Sequence, residues 1–237
     1  MSLSFLRAVL ITDPLVIVTT AFYGSVSLVV SFVDGNGGKQ LAVARAWSRM
    51  LLRIAGVTVV TSGTEKIQPG SSYVFAANHA SYMDTPVVLA NVASGFRFLA
   101  KKQLFSIPLL GGHLRRAGHI PVPKENPREA VRSMTEAGRI IRDRGISVLI
   151  FPEGGRSLNG LQEFREGAAY IAIKAGVPVV PVALRGTIDL LPMHSVHLKP
   201  GTVHLLIGDP IPTANLTLRD RGALTKELRD RVAELLE

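Results

Sequence analysis

The sequence predicts an α/β domain, a mixed and largely parallel sheet flanked by helices, with membrane-associated helices at its N-terminus. Three observations carry that expectation. From residue 57 onward, short apolar runs rich in β-branched residues alternate with helical patterns, as strands buried on both faces of a crossover-connected sheet do. Ahead of them, residues 14 to 33 carry no charge. The chain of 237 residues is 47% hydrophobic and 19% charged. That suits one domain with a sizeable core and is too apolar for a disordered chain.

The uncharged stretch, PLVIVTTAFYGSVSLVVSFV, is long enough as a helix to cross a hydrocarbon layer of ~30 Å. It fits a spanning helix. It also fits a tilted or hairpin segment embedded in one leaflet, starting at Leu3 to Ile11 and broken at Asp13-Pro14. A buried core helix is the ordinary alternative, and a cleaved signal peptide is disfavoured by the length of the run. Residues 1–37 are therefore assigned to a membrane-embedded or spanning segment, and 38–237 to the main domain. After the turn at Asp34 to Gly38, Val43, Trp47, Met50 and Ile54 recur at helical spacing, with Arg45, Arg49 and Arg53 on a second stripe. Such a helix suits an anionic membrane surface, or equally packs on the core with a solvated arginine face.

Strands are expected at 57–61, 73–77, 96–100, 147–151, 179–184 and 203–207. The clearest helix runs from Pro127, which fits a first helical position, to Arg144, closed by Gly145. The positions Leu224, Leu228, Val232 and Leu235 mark a C-terminal amphipathic helix.

Charge and composition narrow the function. Lysine and arginine number 27 against 18 acidic residues, a formal +9, which favours an anionic partner. No cysteine occurs, so disulfides, thiolate catalysis and cysteine-built zinc sites are excluded. Aromatic content of 6% and the absence of a reader motif argue against nucleic acid.

Two constellations carry chemistry. Asn78-His79-Ala80-Ser81-Tyr82-Met83-Asp84 follows an apolar strand, where open α/β sheets place their sites. Pro86 sets the next helix to start just before it. Five residues apart on this turn, Asp84 can hold Nδ1 of His79 and leave Nε2 free to take a proton from a hydroxyl. No Gly-x-Ser-x-Gly nucleophile accompanies the pair, so the hydroxyl can belong to the substrate. Taken alone, the pair is as readily a helix cap beside a buried histidine. The second constellation, Phe151-Pro152-Glu153-Gly154-Gly155-Arg156-Ser157, also ends an apolar run. Its glycines permit a tight turn, Arg156 has the fork geometry that suits phosphate, and Glu153 can accept from a hydroxyl or hold Arg156. His113 and His119 lack a nearby carboxylate in the sequence and read as structural. The spacing of His194 and His197 is poor support for a metal pair.

With these residues in hand, the chain resembles the glycerolipid acyltransferases, most closely the 1-acyl-glycerol-3-phosphate acyltransferases. The resemblance rests on the His-x4-Asp turn at 78–84 and on Phe-Pro-Glu-Gly-Gly-Arg-Ser at 151–157. It also rests on Lys101-Lys102-x-Leu104-Phe105-x-Ile107-Pro108 with Gly118 to Val122, and on Val177 to Ala183, all in the family's order. It implies His79 as general base with Asp84 as its orienter. Glu153, Gly154 and Arg156 would bind the glycerol phosphate, with Lys101 and Lys124 contributing to the anionic pocket. The implied acyl donor is a thioester on coenzyme A or acyl carrier protein, with no metal and no bound cofactor. Implied partners are membrane phospholipid and lysophospholipid. The positive charge after the apolar run would place the domain on the cytoplasmic face, if the helix spans. Three departures bear on the acceptor. Gly155 replaces the usual threonine, Pro123-Lys124 replaces a more basic pair, and Glu166 stands where a basic residue is common.

Overall fold

The computed structural model describes residues 3–107, 110–123, 126–192 and 194–237. Seven strands form one sheet: β1 (Val57–Ser62), β2 (Val74–Ala77), β3 (Phe96–Lys101), β4 (Ile120–Val122), β5 (Ser147–Ile150), β6 (Val179–Arg185) and β7 (Gly201–Ile207). Their order is β1-β7-β6-β2-β5-β3-β4. Every neighbouring pair is parallel except β6 with β7, so the sheet is mixed and largely parallel. The helices are α1 (Leu3–Arg7), α2 (Asp13–Val30), α3 (Gly38–Ala55), α4 (Asp84–Asn91), α5 (Leu110–Arg116), α6 (Pro127–Arg144), α7 (Gly167–Ala175), α8 (Thr187–Leu190) and α9 (Arg221–Leu236).

Central strands bury both faces because their residues are apolar at every position. All of Val74, Phe75, Ala76 and Ala77 are fully buried. On one side Phe75 and Ala77 join Leu51, Leu52, Val87, Val88 and Phe96 in a core beneath α3 and α4. On the other, Val74 and Ala76 meet Ile141, Ala168, Ala172, Leu224 and Leu228 beneath α6, α7 and α9. The expected helix from Pro127 to Arg144 forms with those ends. Asn126 caps it by accepting from the Glu129 amide, and Gly145 closes it in the left-handed region.

The N-terminal helices depart from two expectations. The chain does not break at Asp13-Pro14. A single π-helical turn at Ala8–Thr12 precedes α2, and Asp13 N–H donates to Ala8 O. The wider turn accommodates Pro14, whose missing N–H and ring would otherwise interrupt the helix. A near-continuous apolar helix results, long and apolar enough over Phe5–Val30 to cross a membrane, with only 11% of its apolar window buried. That exposure contradicts a core helix. The arginine stripe of α3 is not a uniform surface face either. Arg45 donates to the carbonyls of Val92, Ala93 and Ser94 at 2.7, 3.0 and 2.7 Å, closing the end of α4. Trp47 turns toward α2, where its indole N–H donates to Thr20 Oγ at 3.0 Å. Arg49 and Arg53 stay exposed.

α2 and α3 form an antiparallel hairpin that stays attached to the sheet domain along its length. Asp13 Oδ2 contacts His197 Nδ1 at 2.6 Å. Ser27 Oγ lies 2.8 Å from His113 Nδ1, and Arg116 donates to Ser31 Oγ at 2.8 Å. His197 thus ties the N-terminal helix to the loop after α8. Among the described residues no group of three or more His, Asp and Glu could hold a metal ion.

His119 is the most perturbed histidine. The Phe98 amide donates to its Nδ1 at 3.0 Å. Burial, with His113 and Arg97 nearby, lowers its pKa to about 3. The unfolded chain therefore binds a proton that the folded one refuses as pH falls from about 6.5 toward 3. Stability is full above that window and is lost on acidification through it. His119→Asn, whose side-chain oxygen can accept the same amide, is expected to flatten the fall in melting temperature between pH 6.5 and 4.

Candidate functional site

β2 and β5 are parallel neighbours, with Ala76 opposite Ile150. The turn after β2 and the loop after β5 therefore leave the same edge of the sheet side by side. This register brings together constellations about seventy residues apart.

The turn is fixed from several directions. Asn78, only 6% exposed, donates from Nδ2 to Leu184 O at 3.0 Å and accepts from Leu184 N–H at 2.7 Å, locking the end of β2 to β6. Ser81 donates to Leu191 O at 3.0 Å and accepts from the Met83 amide at 3.2 Å. α4 then begins at Asp84, with Pro86 in its first turn. Asp84 is fully buried. Its Oδ2 sits 2.7 Å from His79 Nδ1 and accepts from the amides of Ala80 and Ser81 at 2.8 Å each. Oδ1 has no partner among the described residues. The His79 ring stacks on Phe151 at 4.1 Å between centroids and 16° between planes. Its side chain keeps 19% exposure. With Nδ1 held by Asp84 and the ring clamped on Phe151, Nε2 is the nitrogen left for a ligand.

Glu153 has a different place from the one its sequence suggests. Its Oε1 accepts from the His79 amide at 2.6 Å and its Oε2 from the Gln162 amide at 3.0 Å. Ser157 N–H returns a bond to His79 O at 3.1 Å. The carboxylate thus joins the two loops by their backbones and does not hold Arg156. Burial pushes the Glu153 carboxyl up from its usual range, opposed by the two amide bonds from Gln162 and His79.

Arg156 lies with its guanidinium carbon 3.4 Å from the centre of the Tyr82 ring, so the arginine of one loop is seated on the tyrosine of the other. Tyr82 is 63% exposed and stands at the mouth of the site. The cleft beside it is lined by Glu153 to Ser157, Gln162 and Arg165. Gly154 has φ +74°, and a Cβ there would lie 2.9 Å from Arg165 Nε. Gly155 has nothing within 4 Å of an added Cβ and no positive φ. Alanine at 154 is therefore expected to cost about 1–2 kcal/mol, whereas alanine at 155 changes stability by less than about 1 kcal/mol; denaturant midpoints separate the two.

Among the remaining sequence candidates, Lys101 is exposed at the end of β3. It lies three residues beyond Phe98, as Pro152 lies three beyond its partner Leu149, on the same sheet edge as the two loops. Lys124 falls outside the described residues. Glu166 points away to an ion pair with Arg221 at 2.6 Å. Three contributors escaped the sequence: Phe151 as a stacking floor, Tyr82 as the seat of Arg156, and Asn78 as a brace. Each lies inside a motif, at a position whose role depends on a partner distant in sequence.

An acyltransferase family model matches residues 58–185, more than half the chain. A chloroplastic 1-acyl-sn-glycerol-3-phosphate acyltransferase of Brassica napus is 35% identical over 163 residues, covering 68% of this chain and 45% of that protein. A Limnanthes douglasii 1-acyl-sn-glycerol-3-phosphate acyltransferase is 31% identical, covering 76% of this chain and 64% of that protein. The chain thus spans roughly half to two thirds of the length of such relatives. A 1-acyl-sn-glycerophosphate acyltransferase crystal structure from Thermotoga maritima superposes with a TM-score of 0.78 at 28% identity, covering 98% of both chains.

Proposed function

The chain belongs to the acyltransferase family, and from that premise we propose that it moves an acyl chain from a thioester to the free sn-2 hydroxyl of 1-acyl-glycerol 3-phosphate, giving phosphatidic acid. The observation that carries this reading is the His79–Asp84 pair at 2.7 Å, set beside a phosphate-competent arginine, with no side-chain hydroxyl hydrogen-bonded to the His79 ring among the described residues. His79 Nε2 takes the proton of the lipid hydroxyl as its oxygen attacks the thioester carbonyl. The C–O bond forms, the C–S bond breaks, and the imidazolium returns the proton to the departing thiolate. Asp84 stabilises the imidazolium while it carries the charge.

Arg156 holds the acceptor phosphate, with Gly154 keeping the loop tight and Glu153 fixing it to the backbone of His79. Lys101 supplies further positive charge, as the resemblance also implies for Lys124. The donor is a coenzyme A or acyl carrier protein thioester, acting as co-substrate with no metal and no bound cofactor. The relatives' names support the acceptor. Gly155 and the outward Glu166 leave room for another one, such as glycerol 3-phosphate, a lyso-ornithine lipid or another lysophospholipid.

The membrane placement rests on the exposed apolar surface of α2, including Ile17, Val18, Phe22 and Val29. Contacts to the sheet domain at Asp13, Ser27 and Ser31 run the helix along that domain, which favours embedding in one leaflet over spanning. The basic excess suits an anionic cytoplasmic surface.

The test is a panel of acceptors offered to the purified protein in lipid with an acyl thioester. Phosphatidic acid from the lysophosphatidate arm supports the reading, and its absence while another acceptor is acylated overturns the substrate. Tyr82 provides a finer check. Tyr82→Ala is expected to raise KM for the phosphate-bearing acceptor about two- to fivefold with kcat little changed, and Tyr82→Phe to restore it, because the ring face seats Arg156.

A further inference from the structure

A second basic cleft lies outside the catalytic edge, between the turn that joins α5 to β4 and the helix α6. Arg97, Arg115 and Arg144 line it with His119, Glu136 and Ile140. Arg97 is only 4% exposed, a buried cation that among the described residues bonds main-chain oxygens alone. One runs to Phe96 O at 2.9 Å and another to Asn36 O. Arg115 likewise donates to Phe105 O at 2.6 Å. None of the three arginines has a carboxylate within ion-pair reach among the described residues. Glu136 stands on the wall, but both its oxygens are taken by Arg139, at 2.9 and 2.8 Å. Asp34, whose charge favours the Arg97 cation, has an oxygen engaged by the Gln40 amide at the start of α3, at 2.7 Å.

Buried charges in proteins are ordinarily paired. Here Asp34 favours the Arg97 cation and Arg144 opposes it, neither as an ion pair, while His119 is held neutral. Three forked donors lining one cleft, none of them in an ion pair among the described residues, fit a phosphate group.

The position of the cleft indicates where that phosphate comes from. Arg97 holds the Asn36 carbonyl at the tip of the α2–α3 hairpin. One residue from Arg115, Arg116 lies 4.5 Å over the ring of Phe32. Phe32 and Val33 at this tip are 73% and 69% exposed. The arginines therefore adjoin the apolar tip that would enter a membrane.

We propose that Arg97, Arg115 and Arg144 form an anion site, separate from the acceptor pocket at Arg156, that takes a phosphate at the membrane surface and so anchors the domain beside its hairpin. The phosphate is that of an anionic phospholipid headgroup or of the donor's nucleotide; the two share the chemistry. The inference rests on the membrane reading of the hairpin, and neutral vesicles test that part separately.

The experiment is co-sedimentation of the full chain with vesicles of phosphatidylcholine alone, or doped with phosphatidylglycerol, beside calorimetry with adenosine 3′,5′-bisphosphate. Arg144→Glu and Arg115→Gln are compared with Arg219→Glu, which makes the same charge change as Arg144→Glu at an exposed position away from the cleft. Binding of wild type to neutral vesicles supports the hairpin reading, and its absence overturns that reading alone. Arg144→Glu is expected to weaken the extra binding gained from phosphatidylglycerol by roughly tenfold, Arg115→Gln by less, and Arg219→Glu hardly at all. Loss of bisphosphate binding instead, in the same two variants, assigns the site to the donor. If Arg144→Glu and Arg219→Glu weaken vesicle binding equally, the attraction is diffuse charge and the site is overturned. Unchanged binding of both ligands in the cleft variants overturns it as well.

Discussion

Replacing His79 by alanine is expected to lower kcat/KM for acyl transfer by roughly 10²- to 10⁴-fold, the range over which a positioned general base contributes. At about 1.4 kcal/mol per tenfold, that is a barrier increase of roughly 3–5 kcal/mol. The size of the effect follows from the lack of a substitute. Asp84 is buried behind the ring with its Oδ2 committed to Nδ1 and two amides. Both Glu153 oxygens accept main-chain amides. Asp84 is sealed off by burial and Glu153 is held by its two amides, so neither stands in for the imidazole. The fold should survive, because the Asn78 and Ser81 side chains hold the turn to Leu184 and Leu191 and Glu153 holds the His79 amide, none of them through the imidazole. Initial rates and a melting curve on the same preparation check both halves: a large loss of rate with little change in melting temperature.

Asp84→Asn is expected to act through charge alone, with a loss of similar order in kcat. Ala80 and Ser81 both donate to the Oδ2 position. An asparagine must therefore place its carbonyl oxygen there, and its amide nitrogen where Oδ1 now lies unpartnered. The carbonyl still accepts from Nδ1–H, so His79 keeps its tautomer and Nε2 stays available. What disappears is the anion that stabilises the imidazolium. Removing a buried charge while keeping its hydrogen bonds costs little stability. Asp84→Ala also strands the two amides and should destabilise the protein by a further ~1–3 kcal/mol. If the asparagine variant were as fast as wild type, the charge of Asp84 would have no part in the reaction.

How far the sequence reaches is set by the range over which each feature is determined. The His79–Asp84 contact was legible because both residues sit on one turn and local geometry closes the distance. Six of the seven strands were legible as β-branched apolar runs. β4 was not, because Ile120-Pro121-Val122 is short and holds a proline, which a sheet tolerates at its edge. The closure of the α4 end by Arg45 was invisible because its partners are backbone carbonyls about fifty residues away. The same holds for Glu153: nothing in Phe-Pro-Glu-Gly reveals that the amide nearest its carboxylate belongs to His79. The asparagine–leucine brace of Asn78 likewise requires the order of β2 and β6. The π turn that carries the N-terminal helix through Asp13-Pro14 depends on the slack of the preceding residues, where the proline alone predicts a break.

The most direct measurement is the release of free thiol from an acyl thioester, followed with and without 1-acyl-glycerol 3-phosphate alongside phosphatidic acid formation. A base that waits for a lipid hydroxyl predicts thiol release that depends on the acceptor and equals the phosphatidic acid formed, both lost together in His79→Ala. Thiol release at the same rate without acceptor would make the protein a hydrolase and contradict the account.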